Sequence, residues 1–172
     1  KKAESLYDVM ETAARWYQGQ LAAGNGAGAR DYLGRRGVSQ ASVESFRLGF
    51  APHSRTALIE GLSARGVSEA QMVEAGLAIK PEDGGAAYDR FRNRLMFPII
   101  DGRGRVIAFG GRALDSEAKA KYLNSPETPL FHKGRGLYNI DKARRAAHDK
   151  GEVVVVEGYM DVIKCAQHGF EA

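Results

Sequence analysis

A run of four valines that ends on one carboxylate and a glycine constrains the fold of this chain more than any other feature. The valines are residues 153–156, and Glu157 and Gly158 follow directly. Four consecutive β-branched residues predict a strand buried on both faces, as in a parallel sheet. Residues 161–166 continue with helical spacing, so the segment predicts the first β-α unit of an α/β sheet. Because such sheets bind ligands at the carboxyl ends of their strands, Glu157 is a candidate site residue.

A carboxylate at a strand end can hold a divalent metal against phosphate oxygens. Glu157 would act there as a metal ligand or as a general base, with Asp161 one helical turn further on. The alternative is that Glu157 only complements the dipole of a helix over residues 158–168. Only 11 residues follow Asp161, so we expect a site built around these acids to be incomplete within this sequence.

Composition narrows the class of protein. The 172 residues are 44% hydrophobic, which suits a globular core, and no apolar run is long enough to cross a bilayer. A lone cysteine excludes an internal disulfide framework, and the four scattered histidines give no zinc-ligand spacing with it. These features predict a cytoplasmic protein without a membrane partner.

Positive charge is concentrated in one stretch of the chain. Residues 87–145 contain 13 Lys and Arg but 6 Asp and Glu, a net charge of +7, whereas the remainder carries −3. Such a concentration is typical of proteins that bind polyanions, although an ordinary solvated surface can produce the same asymmetry.

Helices are expected in the first half of the sequence and strands in the second. Apolar residues at three- and four-residue steps predict an amphipathic first helix that starts at Leu6 and ends at Leu21. Shorter helices punctuated by glycines are predicted over 29–35, 40–47, 56–64 and 69–75, with a later one over 140–149. Residues 95–100 and 105–109 flank a turn at 101–104 and predict a β-hairpin.

Three arginines alternate through residues 90–94. In an extended strand Arg90, Arg92 and Arg94 would share one face, while Phe91 would point to the other. Three guanidinium groups on one face repel each other unless an anion lies among them, and arginine suits bidentate phosphate contacts. The pattern therefore predicts a phosphate-binding face, and the alternative is a strand face exposed to solvent.

Four motifs in a fixed order resemble the RNA polymerase core of bacterial DnaG-type DNA primases. They are YDRFRNRLMFPI at 88–99, GRVIAFGGR at 104–112, KYLNSPET at 121–128 with FHKG at 131–134, and VEGYMD at 156–161. The resemblance covers nearly the whole chain, loosely over 6–80 and tightly over 88–163. One departure is Ala120, which stands where the family usually places proline before Lys121.

The resemblance implies a DNA-directed RNA polymerase, a nucleotidyltransferase that makes short RNA primers on single-stranded DNA for replication. Residues 1–150 would form its N-terminal basic subdomain, helical over 1–80 and β-rich over 81–150. Residues 151–172 would begin the Toprim domain, the metal-binding fold shared with topoisomerases. The fold class expected is therefore α+β: a helical N-terminal part, a basic antiparallel β part, and the first β-α unit of a truncated α/β Toprim domain.

The resemblance also implies site residues and ligands. Glu157 would be the catalytic, metal-binding first Toprim acid, and Asp161 would bind the metal or hold Glu157 or a water. These acids would bind Mg²⁺ or Mn²⁺ together with later carboxylates, whereas Zn²⁺ would bind only in the full-length parent, outside this sequence. The basic residues implied to contact template DNA or an incoming nucleotide are Arg36, Arg90, Arg92, Arg94, Arg112, Lys121 and Lys133.

Expected partners are single-stranded DNA, ribonucleoside triphosphates and, through a region absent from this sequence, the replicative helicase. Two alternatives remain open. Another Toprim protein, topoisomerase- or nuclease-like, would share the Glu-Gly motif but is not expected to carry the motifs at 88–99 and 121–128. A non-enzymatic nucleic-acid-binding module would not depend on Glu157. As a primase fragment, this chain alone is expected to bind DNA but to make no primers.

Overall fold

The fold was obtained as a computed structural model, which describes residues 5–172. The helices are α1 Leu6–Ala22, α2 Ala27–Arg35, α3 Gln40–Ser45, α4 Ala57–Ser63, α5 Glu69–Glu74, α6 Ile140–Lys150 and α7 Tyr159–Gln167, and a 3-10 turn spans Gly24–Gly26. The strands are β1 Gly49–Ala51, β2 Ala78–Ile79, β3 Tyr88–Asp89, β4 Arg94–Ile100, β5 Val106–Ala113 and β6 Tyr122–Asn124. Within the described range, no helix is long and apolar enough to cross a membrane.

Side-chain caps explain where several helices start. The Ser5 hydroxyl accepts the N–H of Asp8, whose carboxylate accepts the N–H of Ser5 in return. Ser68 and Gln71 form the same reciprocal capping box at α5. The predicted helices are confirmed with ends that differ by no more than two residues.

Four strands form an antiparallel sheet in the order β1-β4-β5-β6, and β2 and β3 form a separate pair. The predicted hairpin is confirmed as β4 and β5, and the N–H of Gly104 bonds the carbonyl of Asp101 across its turn. Pro98 lies inside β4, yet β1 pairs only as far as Met96. A proline is tolerated there because the neighbouring strand has already ended.

Helices cover both faces of the four-stranded sheet. On one face, Met10 and Tyr17 of α1 share a core with Met96 and Phe109. Gly49 allows this close approach, because a Cβ there would lie 2.6 Å from the Tyr17 Cβ. On the other face, the core residues from α2, β4 and α7 are Leu33, Leu95, Phe97, Met160, Val162 and Ile163. The alternation along β4 thus places odd and even residues in different cores.

Helix α7 joins late and early parts of the chain. Its Gln167 side chain donates to the carbonyl of Gly37 at 2.9 Å and accepts the N–H of Ser39 at 2.8 Å. Nearby, the Asn139 amide donates to the carbonyl of Ala172 at 3.0 Å. The segment after residue 158 is therefore packed onto the helices that precede β1.

The mixed helix-and-sheet class is confirmed, but the strand predicted for the valine run is wrong. Residues 152–156 pair with none of the strands in the described part of the chain. Val153 and Val155 are 71% and 73% exposed, respectively. A strand buried on both faces needs a neighbouring strand, and residues 5–172 provide none for this run, although Val156 packs against a core cluster.

The prediction of one strand face for Arg90, Arg92 and Arg94 is also wrong. β3 ends before Arg90 and β4 starts at Arg94. Between them Asn93 adopts a left-handed φ of 49°, its N–H bonds Pro52, and its carbonyl accepts the N–H of Leu114. This turn sends the arginine side chains to different partners, whereas the predicted burial of the intervening Phe91 is confirmed.

Candidate functional site

A cleft of about 610 Å³ lies between β6 and the segment that leads from residue 153 into α7. Tyr122 and Asn124 of β6 line one part of it, and Glu157 and Asp161 line another. Both carboxylates belong to exposed residues. The two acids predicted from the sequence therefore open onto the same cleft as the last strand of the sheet.

The acids lie at the start of α7. Gly158 is its N-cap, and Asp161 is in its first turn, where the positive end of the helix dipole favours a carboxylate. A Cβ on Gly158 would lie 3.1 Å from the Oδ2 atom of Asp161, so this carboxylate rests against the glycine. Carboxylate oxygens fit Mg²⁺ or Mn²⁺. Two acids supply only part of a coordination shell, and residues 5–172 contain no cluster of three or more potential ligands.

Tyr159, between the two acids, is inserted against the sheet. Its ring stacks on Phe97 at 4.9 Å and meets Tyr138 edge-on at 4.7 Å. Its hydroxyl donates to the Asn124 Oδ1 atom at 2.7 Å. Gly110 of β5 makes room, because a Cβ there would lie 2.5 Å from the tyrosine oxygen. Burial, with a smaller contribution from nearby Tyr122, raises the pKa of Tyr159 to about 12, so the hydroxyl remains a donor near neutral pH.

Arg90 anchors the end of β6, and Arg94 anchors the two residues that precede this strand. The Arg90 guanidinium donates to the carbonyl of Asn124 at 2.7 and 3.3 Å. Arg94 donates to the carbonyls of Ala120 at 2.8 Å and Lys121 at 3.3 Å. Burial lowers the pKa of both arginines, and the charge of nearby Arg92 lowers that of Arg94 further. Both side chains therefore have a structural role that sequence reasoning did not assign.

Arg112 lies on the opposite face of the sheet from Arg94. Its guanidinium is 4.7 Å from the ring centroid of Tyr32 in α2 and 5.8 Å from that of Tyr122. It also donates to the carbonyl of Ala113. Since Arg112 and Gly110 are two residues apart in β5, Arg112 shares the face on which Tyr159 packs.

The remaining predicted basic residues are exposed. The side chains of Arg36, Arg92, Lys121 and Lys133 make no ion pair or hydrogen bond with residues 5–172. Lys133 lines a cavity of about 280 Å³ beside the cleft, together with Asn124 and Tyr159. Arg92 lies elsewhere, in a depression of about 420 Å³ shared with Arg94. Arg36 is the C-cap of α2, next to the contact with α7.

Sequence reasoning missed several residues of these surfaces. Arg55 lines the same depression as Arg92, and its guanidinium is 4.3 Å from the Tyr88 ring centroid. Asn124 and Tyr159 both lie in recognised motifs, but 35 residues separate them and no spacing rule predicts their hydrogen bond. The adjacent glycines of β5, Gly110 and Gly111, could have indicated this contact, because glycine inside a strand often marks a place where another group packs closely against the backbone.

Comparison with known proteins identifies the family. A family model described as "DNA primase catalytic core, N-terminal domain" matches residues 16–144. The DNA primase of Deinococcus radiodurans is 47% identical over 170 residues, which cover 99% of this chain and 29% of the relative. The chain thus spans less than a third of that curated relative's length.

Solved structures agree. A DNA primase domain from Pseudomonas aeruginosa is 46% identical with a TM-score of 0.88, over 97% of this chain and 52% of that one. The DnaG primase catalytic domain bound to ssDNA is 41% identical with a TM-score of 0.84, over 96% of this chain and 51% of that one. Sequence and fold therefore place the chain in the DNA primase family, and residues 16–144 match the N-terminal domain of the catalytic core.

Proposed function

We propose that this chain is part of a cytoplasmic DNA primase that makes RNA primers from ribonucleoside triphosphates on single-stranded DNA. The observation that carries the proposal is that Glu157 and Asp161 line the same cleft as β6. Arg90 anchors the end of this strand, and Arg94 anchors the residues just before it. Membership of the primase family supports the reaction. The likeness to a primase catalytic domain bound to ssDNA supports the template.

We assign different roles to two successive segments of the sequence. Residues 1–150 act as the basic N-terminal subdomain, and residues 151–172 begin the Toprim domain. In nucleotidyl transfer a 3′-hydroxyl attacks the α-phosphate of a nucleoside triphosphate, the bond to the β-phosphate breaks and pyrophosphate leaves; Mg²⁺ or Mn²⁺ held at the acids would supply stabilisation of the negative charge that develops. Glu157 would hold that metal or accept the proton of the hydroxyl, and Asp161 would complete or orient this arrangement. The zinc and helicase-binding functions would belong to regions outside this sequence.

The basic residues would contact phosphate groups in two ways. Arg36, Arg92, Lys121 and Lys133 are exposed and without polar partners in the described structure, so they can approach DNA or a nucleotide directly. Arg90, Arg94 and Arg112 use some of their donors on carbonyls and would present the remainder. The path of the template is therefore proposed to follow β6 and its flanking loops.

A charge-neutral substitution tests the role of the first acid. In the complete gene product that contains this sequence, Glu157→Gln is expected to reduce primer synthesis by about 100-fold or more, because a stabilising group at the reacting phosphate is lost. Affinity for single-stranded DNA should stay within about twofold, as no DNA-binding cation is touched. The matched control is Glu152→Gln, which removes an exposed acid outside the cleft lining. Undiminished synthesis by Glu157→Gln would refute the assignment and favour a non-enzymatic binding module.

A salt titration tests the basic surface on the 172-residue chain itself. Replacing Arg92, Lys121 and Lys133 together by alanine should weaken binding to a fluorescent single-stranded oligonucleotide. The log–log salt slope should become shallower by about 2, since each neutralised phosphate contributes about 0.7. The charge-matched control replaces Arg15, Arg65 and Arg103 by alanine. Equal slopes for the two triple variants would place the template path elsewhere.

A further inference from the structure

We infer that Asn124 and Tyr159 are positioning residues, which fix the carboxylates of Glu157 and Asp161 relative to the arginine-anchored strand β6. The inference rests on the proposed function for what those carboxylates do. Neither Asn124 nor Tyr159 needs to touch substrate for this role.

The backbone before Glu157 has little support of its own. Residues 152–156 pair with no strand of the described structure, and the N-cap Gly158 offers no side chain to the start of α7. Strand ladders normally hold the residue at a strand end in place, and within residues 5–172 no ladder forms around Glu157. In the described structure, the contacts nearest to Glu157 are those of the residues at the start of α7.

Tyr159 makes these contacts. It lies two residues after Glu157 and two before Asp161, so its displacement would move both acids. The ring is confined by Phe97 and Tyr138 and by the backbone of β5 at Gly110. Packing against other rings alone would still allow the Tyr159 ring to slide within its own plane. The hydrogen bond of 2.7 Å to Asn124 prevents this movement.

Asn124, which accepts this hydrogen bond, is itself fixed by a second hydrogen bond. Its side-chain oxygen accepts from Tyr159, while its backbone carbonyl accepts from the Arg90 guanidinium at 2.7 Å. Two hydrogen bonds in series thus connect a residue of the basic subdomain to the acid segment. Asn124 is the single residue that both bonds share.

The tyrosine hydroxyl should therefore matter for rate more than for binding. Small misplacement of a catalytic group reduces the rate strongly, and loss of a supporting hydrogen bond around metal ligands typically costs about 10- to 100-fold in activity or metal affinity. DNA affinity should hardly change, because Tyr159 carries no charge. This combination distinguishes positioning from a general folding role.

The test is Tyr159→Phe in the complete gene product, with Tyr7→Phe as the control. Tyr7 lies in α1 under Arg105, away from the cleft. We expect Tyr159→Phe to lower kcat about tenfold, with KM for nucleotides and affinity for single-stranded DNA within about twofold. A higher Mg²⁺ concentration should be needed for half-maximal rate. Tyr7→Phe should match the unmodified protein.

Hydrogen exchange provides a readout that does not depend on activity. Amides of residues 157–163 should exchange about three- to tenfold faster in Tyr159→Phe than in Tyr7→Phe, reflecting the loss of one hydrogen bond. Unchanged exchange with unchanged kcat would overturn the inference. If the unmodified protein made no primers, the proposed function would fail instead, and the exchange result would still decide whether Tyr159 fixes the segment.

Variants of Asn124 complete the test. Asn124→Ala should reproduce the loss seen with Tyr159→Phe, and the double variant should be no slower than either single variant, because one hydrogen bond is removed in all three. Asn124→Asp keeps an acceptor oxygen and should recover part of the rate. Additive losses in the double variant, or no recovery with aspartate, would contradict a shared role.

Discussion

Replacing Gly110 by alanine is expected to destabilise the chain by disturbing Tyr159. A Cβ on Gly110 would lie 2.5–2.6 Å from the Cζ, Cε2 and hydroxyl oxygen atoms of that ring, whereas ordinary contacts begin at 3.4 Å. The ring can move away only by sliding off Phe97 and weakening its hydrogen bond to Asn124. The substitution therefore exchanges one steric conflict for the loss of two favourable contacts.

The magnitude follows from those contacts. A net hydrogen bond is worth about 1 kcal/mol and an aromatic pair about 0.5–1.5 kcal/mol, which agrees with the usual overpacking cost of about 1–3 kcal/mol. We therefore expect the free energy of unfolding to fall by about 2 kcal/mol. For a chain of this length the midpoint of thermal unfolding should fall by about 4–8 °C.

Urea unfolding of the 172-residue chain, followed by circular dichroism, measures this change. The control is Gly19→Ala in α1, where nothing lies within 4 Å of the new Cβ and alanine should stabilise the helix by about 1 kcal/mol. In the double variant Gly110→Ala/Tyr159→Ala the clash is gone, so the two losses should be less than additive. Equal midpoints for Gly110→Ala and the unmodified chain would refute the packing of Tyr159 on β5.

Three other expectations can be checked on the same chain. Burial raises the pKa of Asp89 to about 6, although the N–H groups of α4 that it caps act in the opposite direction. The folded state therefore binds more protons, and the free energy of unfolding should fall by up to ~2 kcal/mol as pH rises from about 4 to 6. Asp89→Asn should remove this decline in urea titrations at several pH values. Arg94→Ala should lower the thermal midpoint by about 4 °C or more because three carbonyls lose a charged donor, whereas Arg92→Ala should leave it within about 1 °C and weaken only DNA binding. Gly61→Ala would bring a Cβ within 2.2 Å of the indole nitrogen of Trp16, the sole tryptophan, so its fluorescence maximum should shift to longer wavelength.

Local patterns in the sequence predicted much of the fold. Where a helix starts at a serine cap, such as Ser68, the capping partner lies three residues further on. The short local sequence therefore contains all the residues that determine the start of the helix. The hairpin at 101–104 is local for the same reason. The motifs that identified the family also lie in short stretches, and the comparisons confirmed the resemblance.

The sequence was misleading where distant residues decide the conformation. Asn93 interrupts the arginine pattern because Pro52, 41 residues earlier, accepts its N–H. The valine run has strong strand propensity, but propensity cannot supply the neighbouring strands that a buried strand requires. At the candidate site, the acids were identified from sequence, whereas the support of Tyr159 by Asn124 depends on how β6 meets α7.

The docking of α7 onto the early helices has a consequence for synthesis of the protein. Ser39 and Gln167 are hydrogen-bonded across 128 residues of sequence, and α7 supplies Met160 and Ile163 to the core beneath Leu95 and Phe97. A ribosome that adds roughly 5–20 residues per second takes about 6–25 seconds to cover that distance. During this interval the nascent sheet has one apolar face without its final cover. The newly made chain is therefore expected to rely on chaperones, and to be most sensitive to proteases, until α7 has left the ribosome.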